Sequence, residues 1–441
     1  MLNVQQCTIA ASVLLVALAA PAPAATPLLG GVAEISITPP LEWGLPLGGY
    51  GERMSKPAQG IHDLVKAKAL VLKRGERTFA LVTLDILGLP GSVKEALTVT
   101  LAPDGFSEAN VLLLPSHTHA GLEMAALNHR NTLNNPAIGI FNQRLLDFHV
   151  ERLTQVIRTA AGRLDPVMVG SAVGRAPGCS GNRRGDGVVD DTVTVLRVDR
   201  ANGQPLAAVV NFTAHPTFMD GSDMWVSAGW PGYMQREVEA LVGDGVACLY
   251  YNGAEGDQAP RLPADGQQAC GSNFEKAEVL GRWVAIQAAA TYRTIKPSHP
   301  KRFDFALHRV KLPAGQAHPA FKQTGGAEYG IDDAMMAKIL NEMSPRETTV
   351  QALRLDDWMV TSVPGEMIVS LGLRIKAALH DAGAKHPTIG GLGNEWISYI
   401  LTADEYAQGG YEASVSFYGP TLGETITTGA ISVGKEILRS R

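Results

Sequence analysis

A His-Thr-His triplet after an apolar segment is the strongest local indication of chemistry in this sequence. His117 and His119 follow the apolar run 111–114. Residues at i and i+2 of an extended chain lie on the same side, so both imidazoles can enter one cavity. Two neutral imidazoles side by side are suitable ligands for zinc. The alternative is one core histidine and one surface histidine, because such triplets also arise by chance.

Polar residues follow other apolar runs in the same way. They are His215, Asp257 and Glu366, which come after the runs 207–212, 246–251 and 358–363. Each also has an ordinary structural role: a buried histidine, the cap of a glycine-rich turn, and a carboxylate in the first turn of a helix. Sites in open α/β sheets assemble at the carboxyl ends of strands, so one shared site is the simplest explanation.

Tyrosines are frequent near the carboxyl terminus of the chain. They are Tyr399, Tyr406, Tyr411 and Tyr418. Buried tyrosines usually serve packing, with each hydroxyl hydrogen-bonded. Close to a metal, a phenol can instead be a ligand or donate to an oxyanion.

The elements that must position these residues alternate along the chain. Apolar runs predict buried strands at 78–84, 111–114, 207–212, 246–251 and 358–363, and amphipathic patterns predict helices at 142–161, 232–242, 273–290 and 367–380. This alternation predicts an α/β fold with mixed, largely buried β-sheets covered by helices. Residues 26–441 contain no linker or repeat, which indicates one large domain or two closely packed lobes.

Composition limits the classes of partner. Of 441 residues, 45% are hydrophobic and 18% charged, so the chain can bury a large core and is not a disordered protein. The net charge is -5 and basic residues form no cluster longer than a pair, which argues against nucleic acid as a partner.

The amino terminus resembles an export signal. The uncharged apolar run 9–20 is followed by the small-residue segment 21–25, which is typical of a signal-peptidase site. We therefore expect residues 1–25 to be a signal peptide and the mature protein to be periplasmic or secreted. The run is too short to anchor the chain across a bilayer, so we expect at most peripheral membrane contact, with a retained tether as the alternative.

Three cysteines remain in the predicted mature chain. Cys248 lies in an apolar run, whereas Cys179 and Cys270 lie in glycine-rich loops. An exported protein can form a disulfide between the latter two, although the sequence does not place their sulfurs together.

Taken together, these segments resemble the neutral, or non-lysosomal, ceramidase family, whose members are zinc hydrolases that cleave the amide of ceramide. The similarity extends in order over residues 30–420. Its fragments are 49–51, 58–61, 116–121, 182–183, 211–215, 256–257, 363–366, 411–414 and 418–420. Each fragment is weak by itself, but the ordered set is specific.

The resemblance implies a set of roles for residues of this sequence. The implied zinc ligands are His117, His215, Glu366 and Tyr399. The residues implied to act on the bound amide are His119, Arg183 and Tyr411, with His119 or Tyr411 protonating the leaving amine. The implied reaction is attack of a metal-activated water on the amide of ceramide or another N-acyl compound. A zinc esterase or lactonase, a peptide-like amidase and a non-catalytic exported lipid-binding protein remain open on the same scaffold.

Three positions depart from the family pattern. The family sequence Gly-Asp-Val-Ser-Pro is Gly-Asp-Gln-Ala-Pro at 256–260, so Ala259 replaces a serine, which favours attack by water over an acyl-enzyme. Leu122 stands where the family has proline and changes the pocket wall. The chain ends at Arg441, where the family continues into an immunoglobulin-like domain, so we expect the catalytic domain alone.

Overall fold

The computed structural model describes residues 26–263 and 270–439, and the predicted signal peptide lies outside these ranges. The strands are β1 (Leu29–Ser36), β2 (Gly60–Ile61), β3 (Lys66–Arg74), β4 (Arg77–Leu84), β5 (Val111–Pro115), β6 (Asp165–Arg175), β7 (Ser180–Asn182), β8 (Thr192–Arg200), β9 (Pro205–Phe212), β10 (Trp225–Val226), β11 (Ala247–Asn252), β12 (Gln258–Pro260), β13 (Phe303–Lys311), β14 (Glu347–Leu355), β15 (Trp358–Ser362), β16 (Glu366–Met367), β17 (His386–Gly390) and β18 (Tyr399–Ile400). The α-helices are α1 (Gly91–Leu101), α2 (Gln143–Ala161), α3 (Gly229–Val242), α4 (Asn273–Thr294), α5 (Gly325–Glu328), α6 (Asp333–Lys338), α7 (Val369–Asp381), α8 (Ala403–Gln408), α9 (Gly410–Ser414) and α10 (Leu422–Arg439). Within the described ranges, no helix has both the length and the apolar character that a membrane span requires.

The larger sheet has eight strands in the order β11-β9-β8-β6-β1-β3-β4-β5. Its two outermost pairs, β11 with β9 and β4 with β5, are parallel, and the strands between them pair antiparallel. Every residue of β5 is buried, because both faces of the sheet are covered. The continuous apolar runs of the sequence are therefore strands of this sheet.

A second sheet, β13-β14-β15-β17, packs face to face on the first. One apolar cluster joins them, with Leu112 and Val209 of the larger sheet and Trp358 and Val360 of the smaller one. The other face of each sheet is covered by helices, α1 and α2 with α3 and α4 on the larger sheet and α7 with α10 on the smaller. The order of layers is helix, sheet, sheet, helix, which confirms the predicted mixed α/β fold with buried sheets.

The disulfide suggested by the sequence is wrong for this structure. Cys179 is a buried thiol that packs in a core cluster with Val193 and Ala214. Burial raises its pKa to about 11, which keeps the thiol protonated and unreactive at neutral pH. The sulfur of Cys179 packs inside this apolar cluster, so Cys179 is a free core thiol and not one half of a disulfide.

Candidate metal centre and active site

Three imidazoles and one carboxylate converge where the loops after β5 and β9 meet β16. The Nε2 atom of His215 lies 3.1 Å from Oε2 of Glu366, and that of His117 lies 3.4 Å from the same oxygen. The Nε2 atom of His119 lies 3.4 Å from that of His117. One ligand atom from each histidine lies within 4.8 Å of the others, a separation that one metal ion can bridge.

Hydrogen bonds fix the tautomers of two of the histidines. Nδ1 of His117 lies 2.6 Å from the carbonyl oxygen of Leu87, and Nδ1 of His215 lies 2.6 Å from that of Glu255. A carbonyl can only accept, so both Nδ1 atoms donate. In the neutral rings both Nε2 lone pairs then face the carboxylate of Glu366. These are the backbone partners that usually orient metal-binding histidines.

The electrostatics of the cluster favour a bound cation. Burial first and Arg183 second lower the pKa of His215 to about 4, so its ring is neutral at pH 7. Burial alone would raise the pKa of Glu366, and only positive charge on the side of His117 and His215 outweighs burial and holds that pKa well below its usual range. An ionised carboxylate that faces imidazole lone pairs in a buried site is unfavourable without a positive charge between them. The donor set therefore fits a metal ion.

The backbone at the first histidine differs from the sequence expectation. β5 ends at Pro115, and His117 has a φ of +70°, in the left-handed region that costs a non-glycine residue about 1–2 kcal/mol. Both imidazoles line one cavity, but they do not lie on one side of an extended strand, so the geometric reason given for their meeting is wrong. They meet across a turn instead, edge to face with ring centroids 4.9 Å apart. The backbone N–H of His117 donates to Ile86 and holds this turn.

Tyr399 reaches the cluster through strand pairing. Glu366 in β16 and Tyr399 in β18 are register partners in a parallel pair. The Tyr399 hydroxyl accepts a hydrogen bond of 3.0 Å from Nη2 of Arg183. Burial raises the pKa of Tyr399 well above its usual value, so in the absence of a metal the phenol is neutral.

Arg183 is held in place by three acceptors. Its Nε donates to Glu412 at 2.7 Å, and its Nη2 donates to the carbonyl of Gly256 at 2.8 Å as well as to Tyr399. The same Glu412 carboxylate accepts from Arg184 at 2.8 Å. One edge of the guanidinium is thus fixed before any substrate binds.

Tyr411 lies at the mouth of the same cavity. Its ring centroid is 5.9 Å from that of Tyr399, and its hydroxyl is 3.4 Å from the hydroxyl of Tyr329. All seven residues singled out from the sequence thus line one cavity or contact its walls. Their division into metal ligands and amide-binding residues stays a prediction.

Four residues of the site were not identified from the sequence. They are Glu123, Tyr329, Trp396 and Glu412, of which Trp396 donates from Nε1 to Oε1 of Glu366 at 2.7 Å. Glu412 stands beside Tyr411 in a fragment shared with the family, which was a usable signal, whereas nothing local distinguishes the others. Asp257 has a structural role, but a different one from the expected cap of its own glycine-rich turn: its carboxylate accepts from the backbone N–H of Val369 at the start of α7 and from Asn182.

The cavity extends from the polar cluster into an apolar region. Its walls include Leu89, Phe321, Ile339, Met343 and Phe417. Apolar walls with a few converging polar groups are typical of sites for small, largely hydrocarbon ligands.

Comparisons with known proteins agree on one family. The sequence profile described as neutral/alkaline non-lysosomal ceramidase, N-terminal, matches residues 29–278 and 331–427. The neutral ceramidase of Pseudomonas aeruginosa is 24% identical over 84% of this chain, and neutral ceramidase B of Dictyostelium discoideum is 28% identical over 86%. The chain spans 66% and 68% of the length of these two relatives.

Solved structures agree on the fold. The crystal structure of the Pseudomonas aeruginosa neutral ceramidase superposes with a TM-score of 0.79 at 20% identity, covering 94% of this chain and 75% of that one. A structure described as ceramidase complexed with C2 gives a TM-score of 0.77 at 21% identity, covering 93% and 75%. The matched profile covers well over half of the sequence. The chain therefore belongs to the neutral/alkaline non-lysosomal ceramidase family, through that family's N-terminal domain.

Proposed function

We propose that this chain is a zinc-dependent hydrolase that cleaves the amide bond of an N-acyl compound, with ceramide-like lipids as the leading substrate class. The observation that carries the proposal is the pair of Nε2 lone pairs of His117 and His215 directed at the carboxylate of Glu366. Buried imidazole nitrogen with carboxylate oxygen is a donor set that suits zinc. The family supplies the reaction type, because the relatives are named ceramidases.

The residues that would hold zinc are His117, His215, Glu366 and Tyr399. A bound zinc ion would polarise the amide carbonyl and lower the pKa of water to about 7. Trp396 holds the second oxygen of Glu366 and so fixes the orientation of the carboxylate. A neutral Tyr399 would have to lose its proton to bind the metal, and the adjacent Arg183 favours the phenolate.

Arg183 would stabilise negative charge that develops on the carbonyl oxygen. Glu412 and Gly256 preorganise the guanidinium, so little reorganisation is needed when charge develops. Tyr411 stands at the mouth with a neutral hydroxyl, since burial raises its pKa, and can donate a hydrogen bond to the same oxygen.

His119 is suited to proton transfer to the leaving amine. Its Nε2 faces the metal cluster, whereas its Nδ1 is buried and has no hydrogen-bond partner among the described residues. No backbone acceptor fixes its tautomer, in contrast to His117 and His215. Its pKa is lowered well below the usual value by burial first and by the two neighbouring histidines next, so the ring is neutral and offers a nitrogen lone pair as an acceptor.

The decisive experiment measures metal content and amide turnover together. We expect one zinc per chain in the wild type, and in His117→Ala a loss of zinc with turnover lower by more than the roughly 10–100-fold that loss of an outer partner of a metal ligand costs. His380→Ala, which changes a histidine with a side chain 68% exposed, is the matched control and keeps both. Substoichiometric zinc in the wild type, or unchanged turnover in His117→Ala, contradicts the proposal.

Substrate class is tested on N-acyl amides and the esters of the same acyl chain. Release of amine, followed by mass spectrometry with and without chelator, is the expected result. Cleavage of the esters alone would show that the protein is an esterase that uses the same metal site, and would contradict the proposed amidase activity.

A further inference from the structure

Glu123 places a carboxylate in the active-site cavity that the proposed reaction does not use. It lines the same cavity as His117, His119 and Tyr411. Apart from Glu366 in the metal cluster, it is the only acidic side chain among the residues that line this cavity in the described ranges. A charge in a mostly apolar cavity is costly unless it has a partner.

The backbone around Glu123 leaves room for its side chain. A Cβ atom at Gly48 would lie 3.0 Å from Oε2 of Glu123, and one at Gly139 would lie 2.7 Å from its Cγ. Gly139 has a φ of +116°, which few other residues adopt. The carboxylate therefore occupies a defined position in the wall.

The bonds that Glu123 makes leave acceptor capacity unused. Its Oε1 accepts from the backbone N–H of Ala125 at 3.0 Å, as the cap of the short 3₁₀-helix Met124–Leu127, and the backbone N–H groups of Gly49 and Met124 also point to the carboxylate. An ionised carboxylate offers about four lone-pair positions. In the part of the chain that the structure describes, the Glu123 carboxylate accepts hydrogen bonds only from backbone N–H groups.

The nearest cation is committed elsewhere. Burial raises the pKa of Glu123 to about 7, and Arg53 opposes this shift only through space, because its Nη atoms donate to four backbone carbonyls. Those acceptors are Gly48, His119, Asp220 and Asp223. No salt bridge to Glu123 is formed within the described residues. Capping alone does not explain the residue, because serine or asparagine caps a helix without burying a charge.

Glu123 lies on the side of the cavity that would hold the amine half of the substrate. Gly49, whose N–H points to Glu123, lies against His119, since a Cβ at Gly49 would be 2.3 Å from its Nδ1. Glu123 is thus on the side of the cavity where His119 would protonate the leaving amine. The apolar walls at Phe321 and Phe417 are left for the acyl chain.

We propose that Glu123 is a specificity-determining residue that binds the amine half of the substrate, accepting a hydrogen bond from a hydroxyl group on that half and, after cleavage, from the product ammonium. This rests on the proposed amide hydrolysis, in which amide and water give a carboxylate and an amine that takes up a proton.

A binding experiment tests the subsite without turnover. Octylammonium and octanol are titrated into the intact zinc-loaded protein at pH 8 by calorimetry. We expect the wild type to bind the ammonium at least about 10-fold more tightly and Glu123→Gln to lose that preference, as for a charge-assisted hydrogen bond. The Gln side chain keeps an oxygen for Ala125, and an unchanged melting temperature verifies the fold. Glu328→Gln, beside the cavity-lining Tyr329, is the matched control and keeps the preference.

Turnover of a matched substrate pair tests the specificity. An N-acyl ethanolamine and the N-acyl propylamine of the same chain differ by one hydroxyl. We expect Glu123→Gln to raise KM for the ethanolamide about 10-fold, with kcat and the propylamide little changed. Equal binding of octylammonium and octanol by the wild type overturns the proposal even if amides are cleaved. Failure to cleave any amide, with an ammonium preference that Glu123→Gln abolishes, would refute the amidase and support the subsite.

Discussion

At the scale of single residues, the three histidines of the site differ in the hydrogen bonds that their Nδ1 atoms make. His117 and His215 each donate from Nδ1 to a backbone carbonyl, so their Nε2 atoms are committed as acceptors or ligands. Nδ1 of His119 has no such partner in the described chain. This difference, more than distance, supports two metal ligands and one proton carrier.

Substitution of Gly49 by alanine tests that division. Gly49 has a φ of +94°, and a Cβ there would lie 2.3 Å from Nδ1 of His119, so Gly49→Ala must displace the ring. We expect amide turnover to fall at least about 10-fold, because proton transfer depends on this position, while one zinc per chain is retained. Gly75→Ala is the matched control, since Gly75 also has a positive φ of +58° but open space around it. Loss of zinc in Gly49→Ala would instead indicate that His119 is a metal ligand.

Residues at the ends of apolar runs could be found from the sequence, and others could not. His117, His215 and Glu366 each follow a strand or precede a helix, a position that pattern alone reveals. Trp396 reaches Glu366 from a loop whose path is set by tertiary contacts, so no local pattern marked it. Glu123 caps a short 3₁₀-helix, which is an ordinary role for a polar residue. Only its position in the cavity wall, which the sequence does not reveal, marks it as a residue of the site.

At the scale of elements, the site depends on how the strand ends are tied together. Asn252, the last residue of β11, donates from Nδ2 to the carbonyls of Ser116 and Ala214. Its Oδ1 accepts from the backbone N–H groups of Ala214 and Gly253. One fully buried amide thus connects the loop that carries His117 with the loop that carries His215.

Removal of this amide should loosen the site and the fold together. Asn252→Ala leaves buried donors and acceptors without partners, so we expect the free energy of unfolding to fall by about 2–4 kcal/mol. We also expect weaker zinc binding, because the two histidine loops lose their link. Urea denaturation in chelator and zinc titration measure the two effects. Asn202→Ala, at an exposed turn, is the control and should change stability by less than about 0.5 kcal/mol.

Element boundaries show where sequence patterns reach their limit. The helix predicted at 367–380 begins at Val369, because Glu366 and Met367 form β16 and pair with β18. The partner strand lies far along the chain, and its pairing cannot be read from local periodicity. The predicted strands and helices of the core agree with the structure because both faces of the sheets impose long apolar runs.

At the scale of the whole molecule, the larger sheet coils until its two edges approach each other. β5 and β11 are its edge strands, yet Asn252 at the end of β11 lies 3.3 Å from the carbonyl oxygen of Ser116, just beyond β5. This curvature brings together histidine loops that are separated in the strand order. The sequence predicted a shared site at strand ends but contained no information on the strand order that creates it.

The tight core also makes stability depend on pH through a histidine far from the site. His149 of α2 is 1% exposed, and burial lowers its pKa to about 4, while its hydrogen bond to Leu145 opposes the shift. The unfolded chain, with a pKa of 6.5, binds a proton between these values that the folded chain does not. The free energy of unfolding should therefore fall by up to about 3 kcal/mol as the pH is lowered from 6.5 to 4. In His149→Gln this contribution is absent, so its stability should fall less steeply over that window than the wild type, whereas the exposed-site variant His380→Gln should follow the wild type. Urea denaturation in chelator at pH 7, 5 and 4 measures the slopes, and parallel curves for wild type and His149→Gln would show that His149 does not carry the effect.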